Sequence, residues 1–406
     1  MKLLLSLLVP CLGLLLQAQG EEPKPVAAAD RTAVVEGNNA FAFALYGQLR
    51  NRNGNLFFSP ESISTALAMA YAGARGSTAS EMAKTLHFTL PQPQLNPAMG
   101  ALLSDLNAVH DGYQLTVTNA LWAQQGYTFL DAFLQLLKTD YGAGLNQVDF
   151  KGATEAARLT INRWVEQKTQ DKIKDLLQPG TLAPSTRLVL TNAIYFKGDW
   201  QTQFDKAHTR DEDFYPSQTQ TKKVAFMHRE SSFSYFDGGT FQLLEIPYKS
   251  KELSLVVLLP KDRSGLPALE QSLTASNTQQ WLSQVVQRDK VIVALPKFKS
   301  TQQFELGGTL GAMGMAQAFS GSADFSGMTG KRDFAISEVI HKAYIDVNEE
   351  GTEAAAATAV GFRALAMRGP VEQPPVFRAD HPFIFLIRDN RSSSILFMGR
   401  MADPGN

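Results

Sequence analysis

Apolar and polar positions recur along this chain with two different periods, and the period changes partway. In the first third, Phe41, Ala44, Leu45 and Leu49 return at helical spacing, and Ser59-Pro60-Glu61 has the makeup of a helix start, with Pro60 suited to a first turn. Farther on, Ala157, Ile161, Trp164 and Val165 fall at i, i+4, i+7 and i+8, while Arg158, Asn162, Arg163 and Glu166 take the other side. That pattern predicts an amphipathic helix resting on a broad apolar surface. From about Arg187 the character shifts to strands: Leu188 to Phe196, then Leu243 to Ile246 and Leu253 to Leu259 flanking the polar turn Lys249 to Glu252. A second hairpin is predicted where Phe383 to Ile387 and Ile395 to Met398 flank Asp389-Asn390-Arg391-Ser392, its unbroken apolar runs pointing to strands covered on both faces. No repeat, low-complexity linker or abrupt change of composition separates domains. Helices early and strands late predict one mixed α+β domain.

The N-terminal residues change the picture by adding an address. Lys2 precedes an apolar run from Leu3 to Leu16, and Ala18, Gln19 and Gly20 supply small residues at a cleavage point. Residues 1–20 therefore read as a signal peptide, with residues 21–406 as the mature domain. The run is shorter than the roughly 20 residues a bilayer span needs, and no other stretch is long and apolar enough. The expected location is extracellular, or the periplasm if the source is a bacterium. Cys11 raises the alternative of a lipid anchor, but Pro10 stands where such sites want a small residue. It is the sole cysteine, so removal of the leader would leave no disulfide, thiolate metal site or cysteine nucleophile.

Charge and motifs narrow the function further. The 38 basic and 39 acidic residues nearly cancel, so no global field marks a nucleic-acid or membrane-surface binder, and Lys222-Lys223 reads as a solvated strand end or loop. There is no G-x-S-x-G elbow, H-E-x-x-H, complete P-loop or G-x-G-x-x-G, and the six histidines lack metal-ligand spacing. A triad drawn from distant residues would leave no such signature. The expectation is a protein that is not an enzyme and carries no metal or cofactor.

The informative stretch is Glu349-Glu350-Gly351-Thr352-Glu353-Ala354-Ala355-Ala356-Ala357-Thr358-Ala359-Val360, followed by irregular sequence to Asp380. Its alanines have high helix propensity. Gly361, Gly369, Pro370, Pro374 and Pro375 nevertheless break any long helix, which leaves some thirty residues without a core-facing pattern and predicts a functional loop. In strand alternation, Thr352, Ala354, Ala356, Thr358, Val360 and Phe362 share one face. That set is small enough to enter an existing sheet.

At this point the chain resembles the serpins, over essentially its whole mature length. Asn55-Leu56-Phe57-Phe58-Ser59-Pro60-Glu61-Ser62-Ile63 resembles the start of the family's second helix, and Thr191 to Trp200 is similar to the third strand of its large sheet. Glu349 to Ala357 is similar to the reactive-loop hinge. Phe377 to Ile387 is similar to the C-terminal signature, and Leu396 to Arg400 to the final strand. The resemblance implies about nine helices and three β-sheets, with a metastable five-stranded central sheet and an exposed reactive-centre loop at about 349–380. It implies a suicide substrate, in which a protease cleaves the loop, is held as an acyl-enzyme and is carried away as the loop inserts as a new strand. About fifteen inserted residues correspond to a translation on the order of 50 Å.

By the same resemblance, Glu349, Gly351 and Thr352 with Ala354, Ala355, Ala356 and Ala357 form the hinge. Ser59, Ser62, Asn192 and His341 form a polar cluster beneath the central strands, and Trp200 lies where the loop enters. The family's usual spacing places the reactive bond between Leu365 and Ala366, with Arg363, Met367 and Arg368 as alternatives. Leu365 suits a chymotrypsin-like or elastase-like target and Arg368 a trypsin-like one. Bulky, charged or proline residues in the hinge mark carriers, chaperones and storage proteins, and Ala354 to Ala357 has none. The alternatives are a non-inhibitory carrier or chaperone, and inhibition of a papain-like cysteine protease. The region from Ser77 to Tyr113, where activator-dependent members place basic residues, has Lys84 as its one lysine or arginine, so no heparin-type activator is indicated, and a monomer is expected.

Overall fold

The computed structural model describes residues 26–352 and 373–405. The leader and the loop positions Ala354, Ala355, Ala356, Ala357, Arg363, Leu365, Ala366, Met367 and Arg368 lie outside the described residues.

The predicted helices form where the sequence places them. Ala28–Leu49 carries Phe41, Leu45 and Leu49 into the core. Pro60–Tyr71 begins at Ser59, whose side chain caps it by accepting from the Ser62 N–H, and all twelve of its residues are buried. A helix buried on every side belongs in the middle of a molecule, and this one packs against both sheets.

The six-stranded sheet positions the site. Its order is Phe298–Glu305, Glu338–Val347, Gly351–Thr352, Leu188–Asp199, Tyr113–Gln124 and Leu145–Val148, with Glu338–Val347 also pairing directly and in parallel with Leu188–Asp199. Two of these strands precede Arg187, so the expected division into early helices and later strands is corrected. The alternation Tyr113, Leu115, Val117 marked the first of them. Leu188, Leu190, Ile194 and Phe196 face the main core, while Val189 and Ala193 face a second apolar cluster. The predicted amphipathic helix, Thr154–Lys168, covers that second cluster with Ala157, Ile161 and Val165, and Trp164 meets Trp122 edge-on at 5.4 Å.

Its polar side is less exposed than the sequence suggests. Asn162 exchanges two hydrogen bonds with the backbone of Leu177, at 2.8 and 2.9 Å, and Arg158 reaches the Leu177 carbonyl at 2.6 Å. The chain following the helix folds back over these two residues and buries them.

The other sheet has nine strands and contains both predicted hairpins, Phe241–Pro247 with Leu253–Pro260 and Phe383–Asp389 with Ile395–Met401. Its Gln220–Asp237 strand is 18 residues long and pairs with Arg210–Ser217, Phe241–Pro247 and Val286–Pro296, which fuses two of the three expected sheets into one ladder. The fold is α+β as expected.

Candidate functional site

The two parallel strands at the centre of the six-stranded sheet run in register from Glu338 opposite Val189 to Tyr344 opposite Tyr195, and then part. The wedge between them is occupied. Gly351 lies opposite Asp199, and Thr352 lies opposite Gly198 on one side and Val347 on the other, antiparallel to both neighbours. Glycine is required at 351 by close approach, because a Cβ there would stand 2.0 Å from the Gly198 carbonyl oxygen. Thr352 is fully buried, and its hydroxyl shares a 2.8 Å hydrogen bond with the Tyr248 hydroxyl. Burial pushes that phenol above its ordinary range, partly offset by the threonine, so Tyr248 remains protonated.

The turn leading into the wedge is gripped from one side. Trp200 stacks on Tyr248 at 4.8 Å, its indole N–H donates to the Asn348 carbonyl at 2.9 Å, and its backbone N–H donates to the Glu350 carbonyl at 2.9 Å. The Phe204 N–H donates to the Glu349 carbonyl at 2.8 Å. Both glutamates are buried and held: Glu349 by Lys297 at 2.8 Å and the Thr209 hydroxyl at 2.8 Å, Glu350 by Lys206. Burial alone would raise the Glu349 carboxyl, but the hydrogen bonds from Lys297 and Thr209 outweigh it and hold it below the usual range.

Beneath the seam a polar row crosses three strands. Asn119, Asn192 and His341 stand side by side in the ladder, under the first turn of Pro60–Tyr71. The His341 Nδ1–H donates to Asn192 Oδ1, while Nε2 accepts from the Ser59 N–H at 3.1 Å. The Asn192 amide donates to Ser62 Oγ and Asn119 Oδ1, and Ser59 Oγ donates to the Leu396 carbonyl at 2.6 Å. Burial pushes the His341 imidazole down to about 3, consistent with a neutral ring that accepts at Nε2. A folded-state value below the unfolded one means that this residue's contribution to stability is intact above about pH 6.5 and is lost progressively as pH falls toward 3.

One residue beside this row has no evident place in it. Glu61 is fully buried, accepts from Thr65 Oγ1 at 2.9 Å, and its second oxygen has no partner among the described residues. Burial raises its carboxyl from 4.5 to about 7, only partly countered by Thr65. Between those values the folded chain keeps a proton that the unfolded chain has lost, so stability falls as pH rises through the window and stays lower above it. Glu61→Gln should therefore raise the melting temperature at pH 8 by about 3–4 °C and leave it nearly unchanged at pH 4, as read by calorimetry. Equal shifts at both pH values would show that the carboxyl titrates normally.

Of the residues expected at the site, the structure brings Ser59, Ser62, Asn192 and His341 into one cluster and sets Trp200 against Glu349 and Gly351–Thr352. Sequence reasoning missed Asn119, Tyr248 and Lys297. Asn119 was detectable as an amide within the Tyr113–Gln124 strand sequence; Tyr248 and Lys297 carried no comparable signal. Among the described residues, no three His, Cys, Asp or Glu side chains could hold a metal ion, and no helix is long and apolar enough to cross a membrane.

Comparison with known proteins agrees with this geometry. A family model described as serpin (serine protease inhibitor) matches residues 36–404. Human serpin B3 is 40% identical over 91% of this chain and 99% of its own length. The leukocyte elastase inhibitor of Xenopus laevis is 43% identical over 90% of this chain and 97% of its own. The crystal structure of human thyroxine-binding globulin in its hormone complex superimposes with a TM-score of 0.84 at 32% identity, covering 93% of this chain and all of that one. The chain, with Gly351 and Thr352 lodged between the central strands, belongs to the serpin family of serine protease inhibitors.

Proposed function

We propose that this protein is an exported suicide-substrate inhibitor of serine proteases, cleaved between Leu365 and Ala366. The observation that supports it most is the Gly351–Thr352 pair, a new strand already begun in the wedge. Continuing its register, Thr358 would fall between Asn192 and His341, and Gly361 would face both Val189 and Glu338, which are now partners. Both neighbours thus agree on where each inserted residue goes, and insertion to that depth would replace seven parallel pairs. Ala354, Ala356, Thr358 and Val360 would follow Thr352 into the main core, and their small size suits that path.

Thr358 would have to break the His341–Asn192 contact and could offer its hydroxyl in exchange, so the polar row would act as the gate. Leu365 suits a protease with an apolar primary pocket, and the relative named for inhibiting leukocyte elastase points to the same class. The leader at 1–20 supports export.

Incubation with chymotrypsin, elastase and trypsin, followed by denaturing electrophoresis, tests the reading. A covalent complex with chymotrypsin or elastase is expected, with Leu365 at the new C-terminus of the inserted chain. A complex with trypsin would move the bond to Arg363 or Arg368. Nicked chain without any complex would favour a carrier or chaperone, and a complex formed only with papain would shift the target to cysteine proteases.

A further inference from the structure

Behind the segment that grips the hinge lies a cation with no counter-charge among the described residues. Arg229, on the long Gln220–Asp237 strand, is half-buried, and no carboxylate among the described residues pairs with it. Of the five N–H groups of its guanidinium, one donates to the Thr202 carbonyl, and Nε is buried with no acceptor. The flat faces lie over Phe233 and Phe204, with Cζ 4.4 and 5.5 Å from the ring centroids. Two aromatic faces orient a guanidinium without neutralising it. Charges withdrawn from water are ordinarily paired, so an arginine held in this way is poised to take an anionic partner.

There is room for that partner. Arg229 lines a cavity of about 480 Å³ together with Gln201, Ser231, Ser232 and Lys251. The Ser231 hydroxyl makes no hydrogen bond within the described residues, and the Lys251 ammonium forms no ion pair there. The one acidic residue in the lining, Glu245, faces Arg388 at 3.8 Å. Two cations with no carboxylate partner among the described residues, and several hydroxyl and amide groups around one cavity, fit a compact oxyanion.

We propose that Arg229 anchors a binding site for a small multivalent oxyanion, a phosphate, sulfate or short dicarboxylate, which steadies the 200–204 segment. That segment is shared: Thr202 and Phe204 touch Arg229, while Trp200 and Phe204 hold the carbonyls of Glu350 and Glu349. The site stands apart from the inhibitory reading; only the consequence of steadying the hinge rests on it.

Calorimetric titration of the full mature chain with inorganic phosphate, sulfate and malonate, against chloride at matched ionic strength, tests the site. Saturable binding is expected, with a rise in melting temperature of about 2 °C at ten times the dissociation constant. The oxyanion that binds most tightly identifies the source. Arg229→Gln should abolish binding. Arg229→Lys, which keeps the charge and guards against a folding defect, should weaken it about tenfold, and Lys251→Ala by a few fold. Hydrogen exchange of the Trp200 and Phe204 amides should slow on binding in the unmodified chain and not in Arg229→Gln. No saturable binding, or equal binding by Arg229→Gln, overturns the site. Binding with unchanged exchange at both amides overturns the link to the hinge.

Discussion

Cutting the Leu365–Ala366 bond, or another bond between Arg363 and Arg368, should raise the melting temperature of this protein by roughly 15 °C. An ordinary nick in a surface loop lowers stability or leaves it unchanged, so the sign alone is diagnostic. The expected size follows from the register. Beyond Thr352, about a dozen residues would enter between Leu188–Asp199 and Glu338–Val347. If each gains about 1 kcal/mol net from backbone pairing, and unfolding entropy scales with a chain of this length, the shift is of that order. Calorimetry of intact and nicked chain, with the cut site read by mass spectrometry, measures it. An unchanged melting temperature would remove the basis for any insertion mechanism.

Thr352→Arg should abolish complex formation while leaving the bond cleavable. The side chain at 352 is fully buried against Tyr248, and the ionisable groups gathered near the wedge, Glu349 and Glu350, are already committed to lysines. A guanidinium there would be buried without a partner, at a cost of about 3 kcal/mol or more, enough to slow entry on the order of 100-fold. Deacylation of the trapped protease would then win, and the product would be nicked chain whose melting temperature has not risen. Thr352→Ser should form complex normally. Complex formation by Thr352→Arg at the unmodified rate would mean that the wedge is not the point of entry.

Much of the fold was legible because the chain obeys simple periods. The helices at Ala28–Leu49 and Pro60–Tyr71 and the two hairpins follow from spacing and from the Ser59-Pro60 start. The Tyr113–Gln124 strand was obscured because its second half, Ala120 to Gln124, is buried on both faces and loses alternation. Arg158 and Asn162 looked solvent-facing, since no local pattern reveals that a distant backbone, that of Leu177, will satisfy them. At the site, Gly351, Thr352 and the Ser59–His341 cluster came from motif resemblance. Tyr248 and Lys297 meet the hinge only through tertiary packing. Glu61 and Arg229 could not have been read at all, because a charge is remarkable only once its burial and lack of a partner are known.

The Thr154–Lys168 helix bears on timing. The apolar cluster beneath it draws Val189 and Ala193 from one bank of the seam and Ile340 from the other, so its own side chains straddle the line along which the sheet must open. A loop arriving there cannot advance past Ile340 until those contacts loosen. In the proposed mechanism the delay would compete directly with hydrolysis of the ester that tethers the protease, and the strength of this strap would set what fraction of encounters end in capture and what fraction in escape.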